Sequence, residues 1–315
     1  MPPDTIRQVA VVGAGLMGHG IAQEFALAGY EVGLHDISDS RLDHALTQIR
    51  EDLHLSVELG LTDAVRAAEA PPRIHPNTDL PQVVRHADLV IEAIIEDLQV
   101  KQRVFQNLDQ LCQDQTILAS NSSSFMPSQL AVCTQRPDKV LVTHYFHPPH
   151  LLPLVEVVRG PATSDATVSA VVDLLSRIGK RPALVQREVP GFVGNRLQIA
   201  LLREAASLVE QGIASPQDID VVIKYGFGRR LAAAGVFEIF DIAGWDLVLT
   251  IMTNLLPHIA SSPELPQGIK DKVMRGELGV KTGQGYYPWT PESAAALKQR
   301  IARSLVACVQ LSAIR

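Results

Sequence analysis

The chain has 315 residues, of which 46% are hydrophobic and 20% charged, so it is long enough for two domains and typical of a globular protein. Its net charge of −6 argues against nucleic acid as a partner. Its three cysteines, Cys112, Cys133 and Cys308, are widely spaced, which argues against a disulfide framework or a metal site and fits a reducing compartment. No apolar run reaches the ~18 residues of a membrane span, and Met1–Gln8 lacks a signal-like apolar core. We therefore expect a cytoplasmic protein with no membrane partner.

A glycine turn follows the first apolar strand. Gln8–Val12 predicts a buried strand, the run Gly13-Ala14-Gly15-Leu16-Met17-Gly18 follows it, and a helical pattern continues to about Gly29. In such a turn the first glycine permits the bend, the second lets the backbone approach a pyrophosphate, and the third lets the helix pack on the strand. Asp36 ends the next strand, where it would accept hydrogen bonds from ribose hydroxyls and repel a 2′-phosphate. The pattern predicts NAD, rather than NADP, bound through Gly13, Gly15, Leu16, Met17, Gly18 and Asp36.

Two later strands also end in polar residues. Asp88–Ala93 predicts a central strand, with Glu96 just past its end and Lys101 in the first part of the next helix. Gln115–Ala119 predicts another strand, followed by the run Ser120-Asn121-Ser122-Ser123-Ser124. Ligands of open α/β sheets bind at the carboxyl ends of the strands, so we expect Glu96 and Lys101 to meet the cofactor. The alternative interpretations are that Glu96 is only an acid at a helix start, that Lys101 is only a solvated lysine, and that the serine run is only a polar loop.

Two apolar runs within Leu141–Val158 flank a proline-rich loop and predict two strands. His144 lies near the end of the first run, and Glu156 lies within the second. A carboxylate among Leu and Val is costly to bury unless it is paired, and an imidazole oriented by a carboxylate is a general base near neutral pH. His147 and His150 are alternative bases, but its strand-end position favours His144. A purely structural pair is the competing interpretation.

Strand patterns stop after the turn Glu188–Gly191, and an apolar stripe at helical spacing follows Phe192. We therefore predict an α/β fold, with a Rossmann-type doubly wound sheet over residues 1–188 and an all-α domain over residues 189–315. Asn195 lies at the start of the first helix of that domain. From the residues alone it is either a capping residue or a donor to a substrate carbonyl.

Five ordered motifs are similar to those of the L-3-hydroxyacyl-CoA dehydrogenase family, which also contains hydroxybutyryl-CoA, L-carnitine and L-gulonate dehydrogenases. They are GAGLMG with Asp36, VIEAIIED, SNSSS, HYFHPP with LVEV, and PGFVGNR, and the resemblance extends to about Trp289. It implies a catalytic His144–Glu156 dyad, substrate contacts from Ser123 and Asn195, and cofactor contacts from Glu96, Lys101, Ser123 and Lys281. His147 stands where the family commonly has an asparagine near the nicotinamide, so we expect His147 beside the cofactor.

The predicted reaction is NAD-dependent oxidation of a short-chain L-3-hydroxyacyl-CoA to the 3-ketoacyl-CoA, as in fatty acid metabolism. The alternative substrate is a small free hydroxy acid of the carnitine or gulonate type, whose carboxylate Arg229 or Arg230 would bind. No lysine precedes Lys101, which weakens the CoA prediction, because the family's CoA-using members bind the CoA phosphates with the helical segment after the second strand. A non-catalytic, crystallin-like NAD-binding protein is a remote alternative. The resemblance also implies a homodimer formed through the helical domain.

Overall fold

The computed structural model describes the backbone of residues 6–312 and the side chains of residues 6–310. The prediction that Met1–Gln8 is not signal-like therefore lies mostly outside the described residues. The chain divides into two compact units, one running to Asn195 and taking in the chain from Leu305 onward, the other spanning Arg196–Ser304. The sequence predicted that residues 189–315 form the second domain, whereas the structure groups the end of the chain with the first unit. Its assignment depends on long-range contacts such as the hydrogen bond from Gln310 Nε2 to the Leu59 carbonyl, 3.1 Å long, which a local pattern does not reveal.

The first unit is built on one eight-stranded sheet, in the order β3-β2-β1-β4-β5-β6-β7-β8. Its strands are β1 Gln8–Val12, β2 Glu31–His35, β3 Ile74–Asn77, β4 Leu89–Glu92, β5 Ile117–Ser120, β6 Val140–Tyr145, β7 Leu154–Arg159 and β8 Arg181–Val185. All neighbouring strands are parallel except β6 and β7, which are antiparallel. The predicted Rossmann-type doubly wound α/β fold is confirmed.

The central strands form because they are short apolar runs that helices cover on both faces. Val11, Ile91 and Leu118 are fully buried, and each such side chain stabilises the fold by ~1.5–3 kcal/mol. The covering helices are α1 Gly18–Leu27, α2 Asp39–Glu58, α3 Ala64–Glu69, α4 Leu80–Val84, α5 Leu98–Leu111, α6 Pro127–Ala131 and α7 Asp165–Arg177. This architecture brings the ends of β1, β2, β4, β5 and β6 to one edge of the sheet, where Gly13, Asp36, Glu96, Ser123 and His144 lie.

The second unit is helical, as predicted. Its helices, counting α8, which begins in the first unit, are α8 Gly194–Glu210, α9 Pro216–Tyr225, α10 Gly228–Leu231, α11 Val236–Ala243, α12 Trp245–Leu255, α13 Gln267–Met274 and α14 Pro291–Ser312, whose end belongs to the first unit. Ser215 caps α9 by accepting a hydrogen bond from the Asp218 amide, which satisfies one of the otherwise unpaired amides of the first turn. Judged by length and apolarity, no single helix of the described chain could cross a bilayer, whereas the bent pair Val236–Ala243 and Trp245–His258 could do so only together.

Candidate active site

The predicted histidine and glutamate face each other across two neighbouring strands. In the antiparallel pairing of β6 and β7, His144 is the direct partner of Glu156, so both side chains emerge on the same face of the sheet. Nδ1 of His144 lies 2.8 Å from Oε2 of Glu156. The two residues are only 6% and 1% exposed. Because the pair is shielded from water, its electrostatic interaction is stronger than that of a surface pair.

The second carboxylate oxygen of Glu156 is held by the start of α8. Its Oε1 accepts hydrogen bonds from the amides of Val193, at 2.9 Å, and Gly194, at 2.8 Å. Burial by itself raises the pKa of Glu156, but the hydrogen bonds from His144 and from these two amides hold that pKa below its usual value. An ionised carboxylate only accepts hydrogen bonds, so Nδ1 of His144 is the donor in this contact, and in the neutral form of the ring the lone pair is then on Nε2.

A strained turn before α8 aims those amides at Glu156. Phe192 is fully buried with a positive φ of 49°, a conformation that costs about 1–3 kcal/mol for a non-glycine residue. The ring centroid of His144 lies 5.7 Å from that of Phe192 and 4.6 Å from that of Phe146. A Cβ on Gly194 would lie 2.5 Å from the tip of the Phe146 ring, so a larger residue here would require this ring to move. The Pro-Gly-Phe-Val-Gly run was the available sequence signal for this support.

Glu96 organises the serine loop that follows β5. Its Oε1 accepts hydrogen bonds from Ser122 Oγ, at 2.6 Å, and from the amides of Ser123 and Ser124, each at 3.0 Å. Burial by itself raises the pKa of Glu96, but the Ser122 hydrogen bond and the charge of Lys101 hold that pKa below its usual value. The loop is thus an ordered set of hydrogen bonds centred on one carboxylate, which a merely polar loop would lack.

Lys101 lies beneath this loop, between two carboxylates. Its Nζ is 2.6 Å from Oε1 of Glu92 and 3.2 Å from Oε2 of Glu96. Lys101 is 1% exposed and Glu92 is 0% exposed, so the alternative of a solvated lysine is wrong. Glu92 also accepts a hydrogen bond from Ser120 Oγ at 2.6 Å. Sequence reasoning missed Glu92, although it carries the signal used for Glu156, a carboxylate inside an apolar strand.

The predicted substrate-contacting residues lie next to each other. Nδ2 of Asn195 donates a hydrogen bond to the carbonyl oxygen of Ser123, at 3.3 Å. Asn121, from the same serine loop, accepts a hydrogen bond from the Tyr145 amide at 2.9 Å. Since Tyr145 directly follows His144, the serine loop is tied to the dyad strand, and α8 is tied to the serine loop. The structure therefore brings Ser123, Asn195, His144 and Glu156 into one connected network.

The glycine turn has the shape that dinucleotide binding requires. A Cβ added to Gly13 would lie 2.6 Å from the carbonyl oxygen of Ala93, and one added to Gly18 would lie 1.7 Å from the carbonyl oxygen of Gly13. A Cβ added to Gly15 would meet nothing within 4 Å. Gly13 and Gly18 are thus required by close packing, and Gly15 leaves backbone open to a ligand. Leu16 and Met17 complete the turn, with Leu16 exposed and Met17 packed on the core.

Asp36 braces this turn at the rim of a cavity of about 590 Å³. Its Oδ2 accepts a hydrogen bond from the Ala14 amide at 2.8 Å, and its Oδ1 accepts one from the Ile37 amide at 2.7 Å. Arg41 lies 3.6 Å from Oδ1. A carboxylate has about four acceptor sites, so Asp36 retains capacity for ribose hydroxyls. The cavity, the turn and this acid fit the adenosine half of NAD.

The remaining predicted residues lie on two loops and on a helix of the second unit. His147 is exposed in the loop after β6, and His150 lies 3.6 Å from Asp52, whereas His144 is the candidate base that hydrogen-bonds Glu156. Lys281 is exposed in a glycine-rich loop of the second unit. Arg229 stacks on Tyr225 at 5.0 Å, and Arg230 is exposed beside it. No group of three or more His, Cys, Asp or Glu side chains in the described part of the chain could hold a metal ion.

A glycine turn, an acid at the end of the second strand and a carboxylate-oriented histidine at one edge of a doubly wound sheet are typical of a dinucleotide-dependent oxidoreductase. Sequence profiles agree: the NAD-binding domain of 3-hydroxyacyl-CoA dehydrogenase matches residues 8–189, and the C-terminal domain of that family matches residues 191–289. The chain belongs to the 3-hydroxyacyl-CoA dehydrogenase family. It uses NAD and acts on CH–OH groups.

The relatives differ in the substrates for which they are named. The 5-formyl-3-hydroxy-2-methylpyridine 4-carboxylate 5-dehydrogenase of Mesorhizobium japonicum is 33% identical over 96% of this chain and 97% of its own. A probable 3-hydroxybutyryl-CoA dehydrogenase of Bacillus subtilis is 36% identical over 92% and 99%. The crystal structure of a pyridine-carboxylate dehydrogenase of the first kind, described as an NAD⁺-dependent dismutase, superimposes with a TM-score of 0.91 at 32% identity, covering 98% of both chains. That of the (S)-3-hydroxybutyryl-CoA dehydrogenase of Ralstonia eutropha gives 0.76 at 34% identity, covering 91% of this chain and all of the other.

Proposed function

We propose that the protein moves a hydride between NAD and a small free carboxylic acid that carries a hydroxyl or formyl group, with His144 as the general base. The 2.8 Å contact between Nδ1 of His144 and Oε2 of Glu156 carries this proposal. It leaves the lone pair on Nε2, where a substrate hydroxyl can deliver its proton. A crystallin-like, non-catalytic role would leave this buried pair without a use.

The residues of the chain then handle the proton and the orientation of the substrate. Bound NAD supplies the hydride acceptor. Nε2 of His144 takes the hydroxyl proton, and Glu156 stabilises the imidazolium that forms. Ser123 and Asn195 supply hydrogen-bonding groups for the substrate oxygens. In the reverse direction His144 returns the proton and acts as the acid.

The preference for a free acid over a CoA thioester rests on α2 and on the relatives. α2 contains no lysine, and its five acidic and two basic residues give it a net charge of −3 with neutral histidines. A negative helix repels the phosphates of CoA, which basic side chains usually bind. In addition, the pyridine-carboxylate dehydrogenase matches nearly the whole chain with the higher TM-score.

A short-chain 3-hydroxyacyl-CoA is the second candidate substrate, and it was the first choice on sequence alone. The hydroxybutyryl-CoA relatives support it, since they are slightly more identical than the pyridine-carboxylate dehydrogenase, at 36% against 33%. If CoA binds, the cationic side chains available for its phosphates in the segment after β2 are arginines. Of these, Arg66 donates to the Leu27 carbonyl and Arg73 pairs with Glu31.

Steady-state kinetics test the catalytic assignment and the substrate separately. His144→Ala should lower kcat by about 10²–10⁴-fold on any accepted substrate while NAD affinity is unchanged. The matched control is His54→Ala, since His54 is exposed on α2, with only Glu58 nearby at 3.7 Å. An unchanged rate for His144→Ala would reject the base assignment.

The substrate is tested with L-carnitine, L-gulonate and 5-formyl-3-hydroxy-2-methylpyridine 4-carboxylate, each with oxidised NAD and NADP, and with acetoacetyl-CoA, which is already the keto compound, using the reduced forms of both cofactors. We expect turnover of free acids with NAD. Turnover of acetoacetyl-CoA alone would establish the second candidate instead. A preference for NADP would contradict the role of Asp36.

We also propose a cytoplasmic homodimer formed through the helical unit. α11 and α12 leave large apolar side chains exposed, among them Phe237 at 75%, Ile242 at 87% and Leu249 at 68%. An apolar surface of this kind usually marks an interaction site. Light scattering should give twice the 34.2 kDa chain mass, and Ile242→Asp should shift the protein toward monomer. A monomeric wild-type protein would refute this pairing.

A further inference from the structure

A second cavity of about 470 Å³ lies in the first unit. Its wall is formed by α1, the segment from the end of α2 into α3, the loop between β6 and β7, the turn before β8 and the end of α14. The residues assigned above to the dyad, to the serine loop and to ribose binding do not line it. Its volume is in the range of small-molecule sites, ~300–1,000 Å³.

Two polar side chains of this wall, Gln23 and His150, have buried atoms without a hydrogen-bond partner in the described part of the chain, and Gln23 is the one whose entire amide is unpaired. It lies on α1, is 0% exposed and lines the cavity. Within the described part of the chain, neither Nε2 nor Oε1 of Gln23 has a hydrogen-bond partner. A buried polar group left unsatisfied costs about 1–3 kcal/mol, and such groups are rare in native proteins. The amide therefore offers a donor and an acceptor to whatever fills the cavity.

The charges of the wall favour an anion. Lys180 is 5% exposed, forms an ion pair with Glu24 and donates to the Pro149 carbonyl oxygen at 2.7 Å. Since an ammonium has three donors, one remains for a ligand. Arg66 and Arg181 also line the cavity, so its wall has three cationic side chains and one anionic side chain. This positive balance contrasts with the net charge of −6 of the whole chain.

The remaining wall is largely aliphatic, with Leu27, Leu61, Leu152 and Ile178 among its residues. We propose that this cavity is a second binding site, for a small organic carboxylate that also carries a hydroxyl group and an apolar chain. The carboxylate meets Lys180 and the arginines, the hydroxyl hydrogen-bonds the Gln23 amide, and the chain lies on the leucines. This assignment is independent of the hydride-transfer function.

The probe is 3-hydroxyoctanoate, which has all three features, applied to the full chain in isothermal titration calorimetry. Octanoate lacks the hydroxyl, and methyl 3-hydroxyoctanoate lacks the charge. We expect saturable binding of the hydroxy acid at one site, and affinity at least about tenfold lower for each analogue, which corresponds to losing one good hydrogen bond or charge contact. Binding should persist in His144→Ala with saturating NAD, and because a hydroxy acid could still enter a site that lacks its base, a readout local to the cavity separates the two sites.

A local readout comes from Cys308, which lines the cavity, whereas Cys133 does not. The probe should slow alkylation of Cys308, but not that of Cys133, as followed by peptide mass spectrometry. Gln23→Met removes the amide at nearly constant volume and should reduce the affinity at least about tenfold without lowering the melting temperature, because no protein partner is lost. Arg66→Ala, on the exposed side of the wall, should also weaken binding.

Three results would overturn the proposal. The first is no saturable binding of 3-hydroxyoctanoate. The second is binding that leaves Cys308 alkylation unchanged. The third is binding to Gln23→Met and Arg66→Ala with wild-type affinity, which would place the probe elsewhere on the chain.

Discussion

Replacing Lys101 with methionine should destabilise the first compact unit by about 3–5 kcal/mol, the usual cost of removing one partner from a buried ion pair. The ammonium lies 2.6 Å from Glu92, and both residues are at most 1% exposed. Without Lys101, the Glu92 carboxylate keeps only the Ser120 hydroxyl and the Ile94 amide as donors. It would then be a buried charge without a counter-charge. Methionine fills a similar volume, so the loss reports the charge rather than a cavity.

The matched double variant isolates the pairing. Glu92→Gln with Lys101→Met removes both charges, and well-packed neutral replacements of buried pairs are often nearly neutral in stability. The double variant should therefore be less destabilised than Lys101→Met alone. Lys224→Met is the surface control, because Lys224 is half exposed and lies 3.9 Å from Asp220, and exposed pairs contribute only about 0–1 kcal/mol.

Urea unfolding monitored by amide hydrogen exchange is the suitable assay, because a chain with two compact units need not unfold in one step. Exchange of β4 and α5 amides reports the first unit directly. Lys101→Met within about 1 kcal/mol of wild type would refute the reasoning, since the charge would then be solvated. NAD affinity should also fall, because Lys101 helps to hold Glu96 and through it the Ser123 loop.

Three further outcomes test other parts of the site. Glu156→Gln should lower the melting temperature at pH 7, and the difference in melting temperature from wild type should disappear in acid. The pKa of Glu156 is lowered on folding, so its contribution to stability is full above the unfolded pKa of ~4.3 and is lost as pH falls through the folded pKa. An equal difference at all pH values would contradict this. Burial raises the pKa of Cys112 to about 12, so iodoacetamide at pH 8 should label this thiol only after unfolding, and rapid labelling of the native protein would show it to be accessible. Gly15→Ala should weaken NAD binding with little loss of stability, whereas Gly18→Ala should lower both, as fluorescence titration and thermal melts would show; similar stability for the two variants would contradict the packing difference between these glycines.

Much of the first unit follows from local patterns. The strand with its glycine turn, and the apolar strands that end in polar residues, identify a doubly wound sheet, because parallel strands bring their carboxyl ends to one edge. The same rule placed His144 and Ser123 at that edge. Their detailed partners were less accessible to sequence reasoning. The contact between Glu92 and Lys101 depends on how a helix packs on a strand, and nothing in its local spacing requires it.

Other features depend on conformation that the sequence does not display. Phe192 adopts a positive φ, which no residue-type preference predicts, and only this turn aims two amides at Glu156. The end of α14 belongs to the first unit. Long-range contacts decide this assignment, and an amphipathic pattern does not predict them. The contact of His150, an alternative base by sequence, with Asp52 is likewise a long-range one, since the two residues are distant in sequence.

The pairing of His144 with Glu156 is one rung of the ladder between β6 and β7. Main-chain hydrogen bonds, rather than the connecting loop, therefore set the separation of the two functional groups. The loop can change in length or composition while the pair of His144 and Glu156 keeps its spacing. A slip of the ladder by one residue would turn one partner to the opposite face, so the pairing of the two side chains depends on the strand alignment and not on the loop that connects the strands.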